Sequence, residues 1–550
     1  MMFGRRRRVA EPESVWDYII IGAGAAGCVL AERLSKCGKN KVLLIEMGPR
    51  GDGFLTSQYI HMPKGFRKTL HDPALTSTFM TEPEGRKQRR FVWVRGKMLG
   101  GSSAVNGMIY IRGHPQDYDD WEAAGCIGWG WQEVERCFRL IEDHELGDDG
   151  VRGRGGPLPV SVQKRPTAFT EAVFTAGEAI GLLRLEDLNR HDPEGAAYSP
   201  CNIRNGKRVS AADAFLMPAR GRENLAIVTD TRVERIIFDD RRATGVVCQH
   251  LGQTVRYSAR GEIIVSAGAL DSPRLLQQSG IGPADLLSGL GIPVIRSCDA
   301  VGANMRDHKP VRMQYRLKQR RLSYNNELSG WRLAKNVVKY LIAHDGLLAT
   351  TYDLCALARS RADVPRPDFQ MIISAYSVVP GKEPVTFERE PGASVHLFPV
   401  RPESLGNIRI SSADPTAAPV VKANYNATEN DRRVTVDSVR YVRRLFGQSA
   451  LQAHVAGEFD PGPQAVTDDD ILAACEMSGP SAHATGTCQM GTASGDVVDP
   501  KLRVRGVSGL RVVDASIFPT LVSGNTMGPV MAAAWRASEI ILADQRAGAV

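Results

Sequence analysis

The stretch Asp17 to Glu46, DYIIIGAGAAGCVLAERLSKCGKNKVLLIE, runs in order through an apolar segment, a glycine-rich turn, an amphipathic segment, a second apolar segment and an acid. Tyr18 to Ile21 is short, β-branched and apolar on both faces, as a strand buried in a parallel sheet must be. Gly22, Gly24 and Gly27 fit G-x-G-x-x-G. The first glycine permits a tight turn, the second a close backbone approach by a pyrophosphate, and the third close packing of helix on strand. The helix that follows turns its free N–H groups toward phosphate oxygens. Val42 to Ile45 gives a second strand, and Glu46, 19 residues after Gly27, stands where an acid accepts hydrogen bonds from a ribose. Strand, turn, helix, strand and acid make one βαβ unit with the grammar of a dinucleotide site, and that grammar serves NAD and FAD equally.

At 550 residues the chain exceeds one compact core, which predicts two or three domains. A chain 43% hydrophobic and 24% charged is ordinary globular material. The net charge of +8 owes half its value to Arg5 through Arg8, so the body is nearly balanced and no nucleic-acid surface is expected. Those arginines are expected to form a solvated tail, or at most a weak contact with an anionic membrane. The ten cysteines are scattered with no C-x-x-C pair, which argues against zinc, iron–sulfur clusters and disulfides and fits a reducing, cytoplasmic setting. No metal site is expected. No apolar run is long and glycine-free enough to span a membrane.

Between Glu46 and Arg90 the sequence has no clear period and reads as loops. Then follows RGKMLGGSSAVNGMIYIRG, Arg95 to Gly113. Paired glycines with small hydroxyl residues permit close backbone approach to a ligand, and Asn106 can bond either backbone or cofactor. The run resembles the first signature of the glucose–methanol–choline (GMC) oxidoreductases, flavoproteins that oxidise alcohols with FAD. Helices are expected near Glu133 to Asp143 and over Phe169 to Ile180. Strands are expected at Leu225 to Thr229, Val233 to Phe238, Gly245 to Cys248 and Glu262 to Ala267.

SAGALDSPRLLQQSGIG, Ser266 to Gly282, reads locally as a strand, a glycine turn and a helix begun by Ser272 with Pro273 in its first turn. As a string it resembles the second GMC signature. Residues 311–480 show strand-like runs at Val311 to Leu317 and Asn407 to Ser411 and helices near Trp331 to His344 and Arg432 to Phe446. These form a mixed domain with no mechanistic motif. SAHATGTCQMG, Ser481 to Gly491, and LRVVDASIFPTLVSGNTMGP, Leu510 to Pro529, precede a closing helix over Val530 to Leu542.

What the resemblance implies is specific. It covers about residues 15–310 and 400–545 and is nearest the choline-dehydrogenase-like and aliphatic-alcohol-dehydrogenase branch. The fold class is α/β, α+β overall: a Rossmann-like FAD-binding domain (15–160, 206–310 and 479–545) and a mixed sheet-and-helix substrate domain (161–205 and 311–478). His483 matches the active-site histidine before the family's Gly-Thr, as the base that removes an alcohol's proton while hydride passes to flavin N5. Asn525 falls on the partner position and holds the substrate oxygen, since an amide is no base. FAD contacts carried over are Ala25, Ala26 and Glu46, Ser102, Asn106, Gly107 and Ile109, then Val233, Asp514 and Ala515, beside Gly22, Gly24 and Gly27. Val105 stands where some members carry a histidine bonded to the flavin, so FAD is expected to be noncovalent.

The expected protein is thus an FAD-dependent dehydrogenase turning a primary alcohol into an aldehyde and passing electrons to a quinone, a redox protein or O2. An alcohol oxidase shares every one of these residues. A lyase with structural FAD, a non-catalytic flavin binder and an NAD enzyme are the further rivals.

Overall fold

The computed structural model describes residues 14–382 and 386–548; Arg5 to Arg8 lie outside them. Among the described residues, two large sheets organise the chain. The first is built on the opening βαβ unit. Val15–Ile21 pairs in parallel with Val42–Ile45 on one side and with Gln253–Val265 on the other. Leu225–Val228 extends the sheet beyond Val42–Ile45, and Leu510–Val512 runs parallel to Ile263–Val265. Ile19, Ile20, Leu43, Leu44, Ile263 and Ile264 are fully buried, as the continuous apolar runs require of a sheet covered on both faces.

Gln253–Val265 is 13 residues long and serves two neighbourhoods. Its first half closes an antiparallel meander with Thr231–Asp239 and Arg242–His250, and its second half joins the parallel strands. The closing helix, Met527–Arg546, packs on the crossover helix Ala25–Ser35. Buried Arg511 bonds Glu262 on the long strand and Asp544 on that helix, at 2.9 and 3.0 Å. Arg511 therefore ties the C-terminal strand and the closing helix to the long strand of the first sheet.

The second sheet is antiparallel throughout, in the order Val455–Asp460, Val311–Leu317, Gly392–Pro399, Phe369–Ser374, Leu354–Ala358, Gly195–Tyr198. Alternation divides its side chains between two faces. Met313, Tyr315, Val395, Leu397, Met371 and Ile373 pack under the helices Ala168–Glu178 and Glu429–Phe446, with Tyr315 stacked on Phe446 at 3.8 Å. Ile372 and Phe398 belong instead to a separate cluster with Ile109 and Ile111. Ile372, His396 and Phe398 face a large cavity between the two sheets.

Two local expectations are corrected. Residues 46–90 are not all loop: they hold helices Phe54–His61 and Phe66–Thr69, and Thr76–Met80 forms a hairpin with Val92–Gly96 over the cavity. The helix in the second signature spans Gly268–Gln278, so Pro273 lies inside it and Ser272 is not its cap. Proline costs a helix interior the bond to the carbonyl four residues back. Here that carbonyl belongs to Ala269, and the Thr487 hydroxyl donates to it at 2.6 Å. No helix among the described residues is long and apolar enough to cross a membrane, and all ten cysteines are free.

Candidate active site

The three glycines of the first turn divide the work as their spacing predicts. Gly22 has φ +100°, and a Cβ there would sit 2.5 Å from the Ser266 carbonyl oxygen. A Cβ on Gly27 would sit 1.9 Å from the Gly22 oxygen, so helix and turn are in contact. A Cβ on Gly24 would meet nothing within 4 Å and would project into the cavity. The helix Ala25–Ser35 has no side-chain cap. Its first N–H groups, with no intrahelical partner, are left to a ligand.

Glu46 accepts from the Ala23 N–H at 2.8 Å with one oxygen and from the Gly48 N–H at 2.9 Å with the other. Burial pushes this carboxyl up to about 7 against those two donors. Each oxygen keeps a lone pair for a ribose hydroxyl. Ser102 Oγ accepts from Gly96 N–H at 3.1 Å, which leaves its hydroxyl proton to donate. Asn106 is more committed than the sequence suggests. Its Oδ1 accepts from Met108 N–H at 3.1 Å and from Arg208 Nη1 at 2.7 Å, leaving the Nδ2 amide, beside Met527, as the group it can offer. The Asp514 carboxylate is likewise taken up, by Gly268 N–H, Ser272 Oγ and Ser516 N–H at 2.8, 2.5 and 2.8 Å. It holds the second signature's turn against the C-terminal segment.

These residues border one cavity of about 1380 Å3, above the roughly 300–1,000 Å3 of ordinary small-ligand sites. Gly22, Gly24, Ala25, Ala26, Glu46, Ser102, Asn106, Gly107, Ile109, Val233, Asp514, Ala515, His483 and Asn525 all line it; Gly27 does not, being packed against the strand. The open cradle at Gly24, the uncapped helix and the acid at the next strand fit FAD. Val105 lines the same cavity with an alkyl group that cannot bond a flavin.

At the far end His483 and Asn525 come together from segments 42 residues apart, with His483 Nε2 3.4 Å from Asn525 Nδ2. Gln370 Nε2 donates to Asn525 Oδ1 at 3.1 Å. His483 Nδ1 lies 3.0 Å from His308 Nδ1, and His308 Nε2 lies 3.0 Å from the Val400 carbonyl oxygen. The His483 N–H donates to Asp307 Oδ1 at 2.6 Å, and the Tyr425 hydroxyl donates to Oδ2 of the same carboxylate at 2.6 Å. Arg95 donates to the Ala482 carbonyl. Burial first, then the neighbouring His308 and Arg95, holds the His483 imidazolium well below its ordinary range. Burial alone takes His308 down to about 4, and burial pushes Asp307 up to about 6. At neutral pH both rings are uncharged, and an uncharged imidazole facing a cavity is able to accept a proton.

Arg95, Asp307, His308 and Gln370 were not assigned from the sequence. Arg95 opens the first signature, so its place was in view without its role. Asp307 and His308 reach His483 from 175 residues away or more, and no local pattern marks them.

A sequence model described as GMC oxidoreductase matches residues 16–310, and its C-terminal counterpart matches residues 402–534. An oxygen-dependent choline dehydrogenase of Vibrio vulnificus is 36% identical over 96% of this chain and 95% of its own length. A mitochondrial choline dehydrogenase of Homo sapiens is 38% identical over 97% of this chain and 90% of its own. Among solved structures, pyridoxine 4-oxidase from Mesorbium loti superposes with a TM-score of 0.84 at 30% identity, covering 95% of this chain and 98% of that one. A formate oxidase superposes at 0.88 with 25% identity, covering 98% and 100%.

Proposed function

The chain belongs to the GMC oxidoreductase family, FAD-dependent oxidoreductases acting on CH–OH groups, and from that premise we propose that it oxidises an uncharged primary alcohol to its aldehyde. FAD, which the turn at Gly22 to Ala26 and Glu46 would hold, would supply a two-electron acceptor for the carbinol hydride. His483 Nε2 takes the hydroxyl proton, which weakens the carbinol C–H bond by loading charge onto oxygen. Asn525 Nδ2, held by Gln370, donates to that oxygen as the charge develops. The aliphatic and aromatic wall beside them keeps water from the reacting carbon.

The observation that supports an uncharged substrate is the wall itself. The cavity lining includes Phe66, Pro310, Tyr352, Ile372, His396 and Phe398, with the Phe398 ring 6.0 Å from that of His483. His396 is neutral there, burial taking it down to about 4. The five acids in the lining are committed elsewhere. Glu46 and Asp514 hold the dinucleotide loops, while Glu82, Glu234 and Asp271 pair with Arg90, Arg232 and Arg274. Behind the wall Asp353 accepts from Tyr324 Oη at 3.2 Å and Ala375 N–H at 2.8 Å, near Lys64. A quaternary ammonium would find aromatic faces but no free carboxylate among the described lining residues, and would lose that part of its stabilisation. The names of the curated relatives favour choline as the second reading.

An anaerobic screen of linear alcohols, glycols, aryl alcohols and choline for bleaching of the flavin absorbance tests this. Bleaching by uncharged primary alcohols, with choline at least tenfold slower, is expected; choline as the faster reductant would overturn the substrate class. Re-oxidation of the bleached protein by a quinone but not by O2 is the outcome expected of a dehydrogenase, and rapid re-oxidation by O2 marks an oxidase. We further propose noncovalent FAD, on the side chain of Val105. Acid precipitation should release the flavin into the supernatant, and flavin that stays in the pellet would refute it.

A further inference from the structure

A neutral imidazole carries one proton, and His483 is a base toward the cavity only if that proton is on Nδ1. Which nitrogen carries it is set by the partner of the other.

The partners form a chain that can be oriented from its end. The Val400 carbonyl accepts and cannot donate, so His308 Nε2, 3.0 Å away, carries a proton. His308 is fully buried and its ring stacks on Phe398 at 4.7 Å. Its surroundings offer no carboxylate within bonding distance, and burial takes it down to about 4. It is therefore neutral, its one proton is spent on Val400, and its Nδ1 carries a lone pair. The atom facing that lone pair at 3.0 Å is His483 Nδ1. Two lone pairs at that distance repel, so the proton of His483 sits on Nδ1 and points away from the cavity. Nε2 is left bare toward the cavity, where the Asn525 amide faces it at 3.4 Å with its own oxygen held by Gln370. Every donor in the series Gln370, Asn525, His483, His308 then points the same way, ending on the Val400 oxygen.

We infer that His308 is a positioning residue that fixes the base tautomer of His483, with the Val400 carbonyl as its anchor. It touches neither substrate nor cofactor, since it does not line the cavity. The inference rests on His483 being the base.

Three variants separate the two claims, each read by anaerobic stopped flow with the best alcohol of the screen. His308→Leu removes the acceptor and leaves the Nδ1–H of His483 unpartnered in a buried site. The limiting reduction rate should fall about ten- to a hundredfold, with the apparent alcohol affinity unchanged and FAD retained. His308→Asn places an amide oxygen near the lost Nδ1 and should recover the rate to within about fivefold of the wild type. A rate in His308→Leu equal to the wild type, or a His308→Asn as slow as His308→Leu, would overturn the role. His483→Ala reports on the base itself: if it reduces normally, the base reading fails whatever the His308 variants do.

A second readout does not depend on turnover. In the wild-type holoprotein with 15N-labelled histidine rings, the His483 resonances, identified by their loss in His483→Gln, should show the proton on Nδ1. A proton on Nε2 would contradict the proposal directly. In His308→Leu the Nε2–H form should grow.

Discussion

Replacing His483 with alanine should give a folded, yellow protein whose flavin is barely bleached by alcohol, the rate of reduction falling by about 10²–10⁴-fold, the range of a lost general base. The fold should survive because the ring bonds only His308 and Asn525, while the backbone N–H keeps Asp307. FAD should stay because the cradle proposed for it, Gly22 to Ala26 and Glu46, belongs to another part of the chain. Near-normal reduction in anaerobic stopped flow would remove His483 from the chemistry. The pH dependence carries a second check on the same residue. A base works deprotonated, and burial lowers the pKa of His483. The wild-type rate should therefore hold its plateau as pH falls below 6.5, and decline only as pH passes through the lowered pKa. A limb at the ordinary histidine value would mean that the ring is wet.

Gly24→Val should have the opposite profile: an intact fold and weakened flavin binding. The φ of Gly24 is −75°, a backbone open to any residue, and a Cβ there meets no protein atom within 4 Å. The branched side chain would instead stand in front of the uncapped N–H groups of Ala25–Ser35, where the pyrophosphate approaches. A loss of roughly a hundredfold in FAD affinity is expected, about 2.7 kcal/mol, with the thermal midpoint of the flavin-free protein unchanged. Gly27→Val is the contrast, because its Cβ would lie 1.9 Å from the Gly22 oxygen and must push helix from strand. That variant should lose fold and flavin together. An FAD affinity in Gly24→Val equal to that of the wild type would mean that the cofactor does not lie over this turn.

The sequence displayed what is local and left out what is not. The βαβ unit was legible because glycines with distinct steric duties fell at fixed spacing between two runs of buried β-branched residues. Val311–Leu317 was legible for its alternation. Leu354–Ala358 and Phe369–Ser374 are buried throughout and carry no period to betray which face Gln370 and Ile372 take. Pro273 misplaced a helix start because its preference for a first turn is a local rule. The hydroxyl that lets it sit deeper comes from Thr487, 218 residues along the chain from the carbonyl it caps. His308 was hidden for the same reason: its importance lies in a distance to His483, and nothing near either residue encodes that distance. Family resemblance named His483 and Asn525; the geometry added what orients them.

Alcohol oxidation by bound flavin is tested most directly by anaerobic mixing of the holoprotein with one uncharged primary alcohol, in its ordinary form and deuterated at the carbinol carbon. Complete bleaching of the visible flavin band, one equivalent of aldehyde and a slower rate for the deuterated alcohol are expected. An oxidised flavin spectrum that persists while the alcohol is consumed would contradict that chemistry, and would make FAD a structural element of some other reaction.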